Sequence, residues 1–85
     1  MINQQDIQNT VREFIQKNFI FDPLIVFDDN ESLLGSGIID STGILELIGY
    51  LEEKYHLTFE DSELIGDNFE TVLKITVFLQ KKIST

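Results

Sequence analysis

Asp40 and Ser41 stand side by side after a glycine-containing stretch, Gly35-Ser36-Gly37-Ile38-Ile39, and directly before a segment with helical spacing. A hydroxyl in that place has two uses. It can cap the helix by accepting hydrogen bonds from the first free backbone N–H groups, a contribution of about 1 kcal/mol that either Asp40 or Ser41 would supply. It can also carry a covalently attached anion such as a phosphate ester, because free N–H groups and the helix macrodipole favour negative charge there. In the second case the hydroxyl needs no activating base of its own, provided a separate enzyme performs the transfer.

Other chemistries lack their parts. The single histidine, His56, lies just past the same helix and reads as a charge-complementing residue at a helix end. The stretch "DDNESLLGSGII" begins like a calcium loop, with Asp28, Asn30 and Ser32 at positions one, three and five. Leu33 then stands where glycine belongs and Ile39 where glutamate belongs. Gly35-Ser36-Gly37 opens a dinucleotide fingerprint, but Asp40 occupies the place of its third glycine. With no cysteine there is no disulfide, thiolate metal site or thiol nucleophile. The carboxylates fall along helix faces with no evident cleft, so neither catalysis nor a metal site is expected of this chain.

The elements that must position Ser41 follow from apolar spacing. A first helix is predicted over about residues 3–18 from Ile7, Val11, Phe14 and Ile15, with Asn3 or Asp6 as cap and Pro23 against its continuation. The helix after Asp40-Ser41 carries Ile44, Leu47, Ile48, Leu51 and Tyr55 as its apolar stripe, leaving Glu46, Gly49, Glu52 and Glu53 outside it. Residues 59–65, "FEDSELI", allow one or two helical turns before Gly66. A last helix over about 69–82 is signalled by Val72, Ile75, Thr76 and Leu79, with lysines at its C-terminal end. The connection between the first two helices, about twenty residues, is longer than unstructured loops usually are in compact domains. Its apolar residues Phe19, Phe21, Leu24, Ile25, Val26, Phe27, Leu33, Leu34, Ile38 and Ile39 are expected to anchor it. A strand at Leu24–Phe27 competes with that reading but has no evident partner. The expectation is one helical domain over residues 1–85, small but with seven phenylalanines for a core.

Charge is concentrated. Of the net −9, residues 28–67 hold eleven acids against Lys54 alone. Such a block repels nucleic acid and anionic membranes and steers basic protein surfaces toward it, although solubility alone would also account for it. The first ten residues, "MINQQDIQNT", have neither the basic start nor the apolar run of a signal peptide, and the longest apolar run, Leu24–Phe27, is far below the ~20 residues of a membrane span. A soluble, cytoplasmic monomer is expected, with no nucleic-acid or membrane partner.

At these residues the sequence resembles the acyl carrier proteins. "GIIDSTGILELIGYLEEKYHLTF" has the carrier order of glycine, Asp-Ser and an acid-edged helix. The acidic "EDSEL" and then "DNFETVLKITVFL" resemble the carriers' entry into their last helix, and the likeness spans about residues 3–82. It implies an all-α four-helix bundle with a long first loop and a short third helix. It also implies that Ser41 accepts 4′-phosphopantetheine from coenzyme A through a separate, magnesium-dependent phosphopantetheinyl transferase, with Asp40 helping to present the serine. The arm would supply the thiol that the chain lacks and hold acyl groups as thioesters, some core side chains lining a cargo slot between helices two and four. Glu46, Glu52 and Glu53 match acids that dock onto basic patches of partner enzymes, with Leu45 and Gly49 among the apolar contacts of that face.

The chain departs from the pattern at Thr42, where carriers of fatty-acid synthesis have Leu or Met. It departs again at Gly43, often an acid, and at Gly49, usually bulky. "DSTGILEL" resembles stand-alone carriers loaded by acyl- or aminoacyl-activating ligases, which hand their cargo to downstream acyl-transfer enzymes. Thr42 belongs to that docking face or is simply a better helix start. The rival reading is an unmodified acidic adaptor or inhibitor that binds a basic protein by charge.

Overall fold

Three α-helices form in the order α1, Gln4–Phe19, α2, Ser41–Tyr55, and α3, Val72–Ser84, with two 3-10 turns, Asp61–Leu64 and Gly66–Phe69, before the last. The computed structural model describes residues 3–22, 24–64 and 66–84, and no strand occurs among them. Pro23, expected to stop the first helix, and Ile65, the last residue of the expected third helix, lie outside the described residues. No helix among them is long and apolar enough to cross a membrane.

Each helix buries the stripe its spacing predicts. Ile7, Val11 and Ile15 of α1 are buried, and Asn3 rather than Asp6 is the cap, its side chain accepting from the Asp6 N–H at 2.8 Å. Along α2, Leu47, Ile48 and Leu51 are buried while Ile44 and Tyr55 are half-buried. Phe14 of α1 stacks on Tyr50 at 4.3 Å between ring centroids, and Phe19 lies against Gly43, so α1 and α2 run antiparallel. That places the C-terminal end of α1 beside the head of α2.

The last helix starts at Val72, later than the spacing suggested. Thr71 caps it, its hydroxyl oxygen accepting from the Lys74 N–H at 3.0 Å, and the residues before it are held in a 3-10 turn. Its buried Thr76 donates its hydroxyl to the Val72 carbonyl at 2.8 Å, so that hydroxyl is satisfied inside the core. The expected short third helix is replaced by the two 3-10 turns. Phe59, ahead of the first turn, and Phe69, the last residue of the second, meet edge to face at 5.3 Å, both also in contact with Phe78 of α3. The segment must return within that short span, and 3-10 geometry suits runs of three or four residues.

Glu63 fastens this region to α3. Its carboxylate accepts the Glu60 N–H at 2.7 Å and the Lys82 ammonium at 2.9 and 3.1 Å. The Glu60 N–H first, and the Lys82 hydrogen bond second, hold the Glu63 carboxyl below its ordinary value of 4.5. A carboxyl lowered on folding contributes stability that is complete above 4.5 and is lost as pH falls through the folded value. Glu63→Gln is therefore expected to melt below the parent at neutral pH, with the gap closing well below that value. Parallel thermal melts at the two pH values check it.

The long connection is anchored at fewer points than its apolar residues suggested. Phe27, Leu33 and Ile39 are buried, and Phe19 and Ile38 pack partly against the core. Phe21, Leu24, Ile25, Val26 and Leu34 are instead exposed. Leu24–Phe27, where a strand competed, forms none; a turn at Leu24 is closed by the Ile25 N–H, which donates to the Asp22 carbonyl at 3.0 Å. Polar contacts take over the anchoring. Arg12 of α1 meets Asp29 at 2.6 Å, donates to the Phe27 carbonyl at 3.1 Å and lies over the Phe27 ring. Gln8 also donates to Asp29. The Leu33 and Leu73 N–H groups donate to the Glu70 and Asp29 carbonyls, stitching the connection to the start of α3.

Candidate functional site

The head of α2 resolves which of Asp40 and Ser41 is the cap. Asp40 has extended backbone angles and its Oδ1 accepts from the Gly43 N–H at 2.7 Å, while its carbonyl takes the Ile44 N–H at 3.0 Å. Ser41 is the first residue of the helix and is exposed. Its hydroxyl is therefore released from capping and stands at the positive end of the helix, whose first turn holds no acid. Gly37, with φ +80°, makes the left-handed turn that brings the chain back to this point. Asp40→Ala is expected to cost about 1 kcal/mol, or roughly 4–8 °C in Tm for a chain of this size. Asp40→Asn keeps an accepting oxygen and should lose much less in the same melt.

Below Ser41 the outward surface of α2 collects the residues the sequence singled out. Ser41, Leu45, Gly49 and Glu53 succeed one another at i, i+4 spacing, with Thr42 and Glu46 alongside, and all six are exposed. Leu45 is 65% exposed, an apolar side chain with no place in the core. Glu52 differs: it is half-buried and its Oε2 accepts the Phe59 N–H at 2.9 Å, holding the chain as it leaves the helix. Among the described residues, ion pairs join Arg12 to Asp29, Lys74 to Asp67 and Glu70, and Lys82 to Glu63. None neutralises Glu46 or Glu53. The α2 face is an uncompensated acidic surface with an apolar centre.

His56 sits at the far end, exposed and in the left-handed conformation at φ 54°, where its N–H donates to the Glu52 carbonyl. It ends the helix through its backbone. No group of three or more potential metal ligands forms among the described residues.

Gly43 was legible only as a departure from a pattern, and the structure gives it a part in the site. It is buried, and a Cβ there would lie 2.8 Å from Ile39 Cγ2 and 2.9 Å from Phe19 Cε1. The bare backbone lets the residues before Asp40 and the end of α1 close onto α2 just beneath Ser41. Its phase was the available signal, since Gly43, Leu47 and Leu51 fall on one i, i+4 row of the buried stripe.

No protein-family model matches the chain. A D-alanyl carrier protein of Streptococcus suis (strain 98HAH33) is 36% identical over 70 residues, spanning 82% of this chain and 86% of the relative. The protein of the same name from Streptococcus suis (strain 05ZYH33) is 33% identical over 70 residues, with the same coverage. That of Streptococcus pyogenes serotype M5 (strain Manfredo) is 36% identical over 69 residues, 81% of this chain and 85% of the relative.

The chain belongs to the acyl carrier protein family.

Beside the head of this carrier's α2 lies an open cavity of about 320 Å³, lined by Ser32, Leu34, Ile44, Leu64, Phe69 and Glu70. Ile44 is one turn from Ser41, and the lining combines apolar side chains with a polar rim from Ser32 and Glu70. The carrier's long connection, α2 and the 3-10 turns all contribute a wall, so the cavity exists only in the folded chain.

Proposed function

We propose that this carrier holds aminoacyl or acyl groups as thioesters on a 4′-phosphopantetheine arm joined to Ser41, and presents them to partner enzymes without catalysing a reaction itself. The observation that carries the reading is Ser41 exposed at the helix head while Asp40 supplies the cap. The residues present fit such a group: a reachable hydroxyl, unpaired N–H groups favouring a phosphodiester, and no acid within the first turn. When attached, the group supplies the terminal thiol that forms the thioester, which this cysteine-free chain cannot provide.

The carrier's own residues act around that attachment. Ser41 Oγ gives up its proton to the transferase and takes the phosphoryl group as the nucleotide half of coenzyme A leaves. Asp40 holds the first turn in place through the Gly43 N–H, so the oxygen is presented in a fixed position. Thr42, Leu45, Glu46, Gly49 and Glu53 form the surface on which the transferase, the activating ligase and downstream acyl-transfer enzymes dock. Glu52 borders that surface. Docking of this kind is salt-sensitive and brief, so one carrier can serve successive enzymes. Tethering then raises the local concentration of cargo at each docked enzyme.

The relatives' name points to D-alanyl as the cargo, an aminoacyl group instead of a fatty chain, which agrees with Thr42 in place of the Leu or Met of fatty-acid carriers. The two 3-10 turns would occupy the place of the family's third helix, completing a four-element bundle. Incubating the folded chain with coenzyme A, magnesium and a broad-specificity phosphopantetheinyl transferase is expected to add one phosphopantetheine unit by intact mass. A chain that stayed bare, yet bound basic proteins, would be an acidic adaptor instead.

A further inference from the structure

We propose that residues 24–27 are half of a β-ladder, completed when a partner protein adds an extended apolar segment flanked by lysine or arginine. The amino-acid pattern marks this stretch as a strand, yet no strand forms among the described residues. Its exposures nonetheless alternate as they do in a strand lying on a core. Leu24 and Val26 are 86% and 84% exposed, while Ile25 is 47% and Phe27 3% exposed. Side chains of an extended chain point alternately to opposite faces. Ile25 and Phe27 therefore lie toward the domain, and Leu24 and Val26 away from it.

The two edges of the stretch differ as well. Backbone groups of successive residues in an extended chain point to opposite edges. On one edge the domain already uses them: the Ile25 N–H donates to the Asp22 carbonyl at 3.0 Å, and the Phe27 carbonyl accepts from Arg12 at 3.1 Å. On the other edge Asp22 Oδ1 holds the Leu24 N–H at 2.9 Å. The Val26 N–H and carbonyl on that edge have no hydrogen-bond partner among the described residues. One residue offering both groups is the unit with which an antiparallel strand pairs. Open edges are normally covered, bulged or charged, but the side chains here are apolar.

The acids around the stretch define the occupant. Asp22 precedes it and Asp28 follows it, both exposed and outside every ion pair among the described residues. A second copy paired antiparallel about Ile25 would set Asp22 of each chain opposite Asp28 of the other. Like charges directly opposite destabilise a ladder, and each chain carries a net −9. A separate protein whose extended segment alternates apolar residues and ends in cations supplies both the bonds to Val26 and the complementary charge. None of these residues belongs to α2, and the pairing does not depend on the attachment at Ser41.

The test is a nuclear magnetic resonance titration of the folded, unmodified chain with the synthetic peptide Lys-Val-Thr-Val-Thr-Val-Lys and its counterpart ending in glutamates. The lysine peptide is expected to slow exchange of the Val26 amide hydrogen roughly tenfold, with cross-strand Hα contacts to Ile25 or Phe27. Its affinity should exceed that of the glutamate peptide roughly tenfold, equivalent to about 1.4 kcal/mol. Val26→Pro removes the N–H but keeps an apolar side chain, and should weaken the lysine peptide by roughly tenfold or more with Tm near the parent's. The contacts in the parent decide the matter should that variant fold poorly. No binding, equal affinity for the two peptides, or contacts elsewhere on the chain would overturn the proposal. So would slow Val26 exchange that appears without peptide and grows with protein concentration, the mark of a second copy.

Discussion

Ser41→Ala is expected to abolish phosphopantetheine addition completely while leaving the helical spectrum and Tm nearly unchanged. The separation of the two effects comes from the geometry of the helix head. Asp40, not Ser41, accepts the Gly43 N–H, so removing the hydroxyl costs no cap. Ser41 is exposed, and an exposed substitution away from packing and caps usually changes stability by no more than about 0.5 kcal/mol. The chemistry, by contrast, has no substitute oxygen in the same place. Thr42 and Ser36 are exposed hydroxyls nearby, but Thr42 is turned about 100° around the helix and Ser36 belongs to the preceding loop. Intact mass after exhaustive transferase treatment reads the result. Addition that persisted on the alanine variant would place the attachment elsewhere and remove the basis of the proposed function.

Gly43→Leu is expected to be the most damaging single change in α2 that adds rather than removes atoms. Helix propensity by itself would favour leucine over glycine by about 0.8 kcal/mol. Packing opposes it with greater force. The first added carbon already falls 2.8 Å from Ile39 Cγ2 and 2.9 Å from Phe19 Cε1. Ile39 is 2% exposed, and its branched methyl has nowhere to move without pulling the loop off α2. Overpacking of this sort costs about 1–3 kcal/mol or more, so a net loss near 2 kcal/mol and a fall in Tm of roughly 8–16 °C are expected. A chain of this size has only about 5 kcal/mol or slightly more to lose. Thermal melts followed by circular dichroism check the prediction. The same helix supplies the control, because a side chain at Gly49 meets open space and should stabilise. Equal responses at the two glycines would contradict the close packing described at the head of α2.

Much of this protein was legible in one dimension because helical periodicity is a local property. The stripes Ile7-Val11-Ile15, Leu47-Ile48-Leu51 and Val72-Ile75-Leu79 followed from spacing alone and are buried. The order of Asp40, Ser41 and an acid-edged helix pointed to the carrier family before any coordinates, since that arrangement is contiguous in the chain. Spacing also put Glu46, Gly49, Glu52 and Glu53 outside the stripe, and all of them but Glu52 are exposed.

What depended on residues far apart was not readable. Ten apolar residues in the long connection looked equivalent as anchors, yet only Phe27, Leu33 and Ile39 among those beyond α1 are buried, because burial is decided by what α1 and α3 present to them. The Arg12–Asp29 pair, across seventeen positions, supplies the polar half of that anchoring. The expected third helix became two 3-10 turns because Phe59 and Phe69 meet in space and leave the intervening residues too short a span. Glu52 looked identical to Glu53, but the fold directs it to the Phe59 N–H. Sequence alone determined the three α-helices, their buried sides and the position of the serine. Tertiary structure decided which acids remain free, which glycine is packed and which is open, since those properties arise only when distant segments meet.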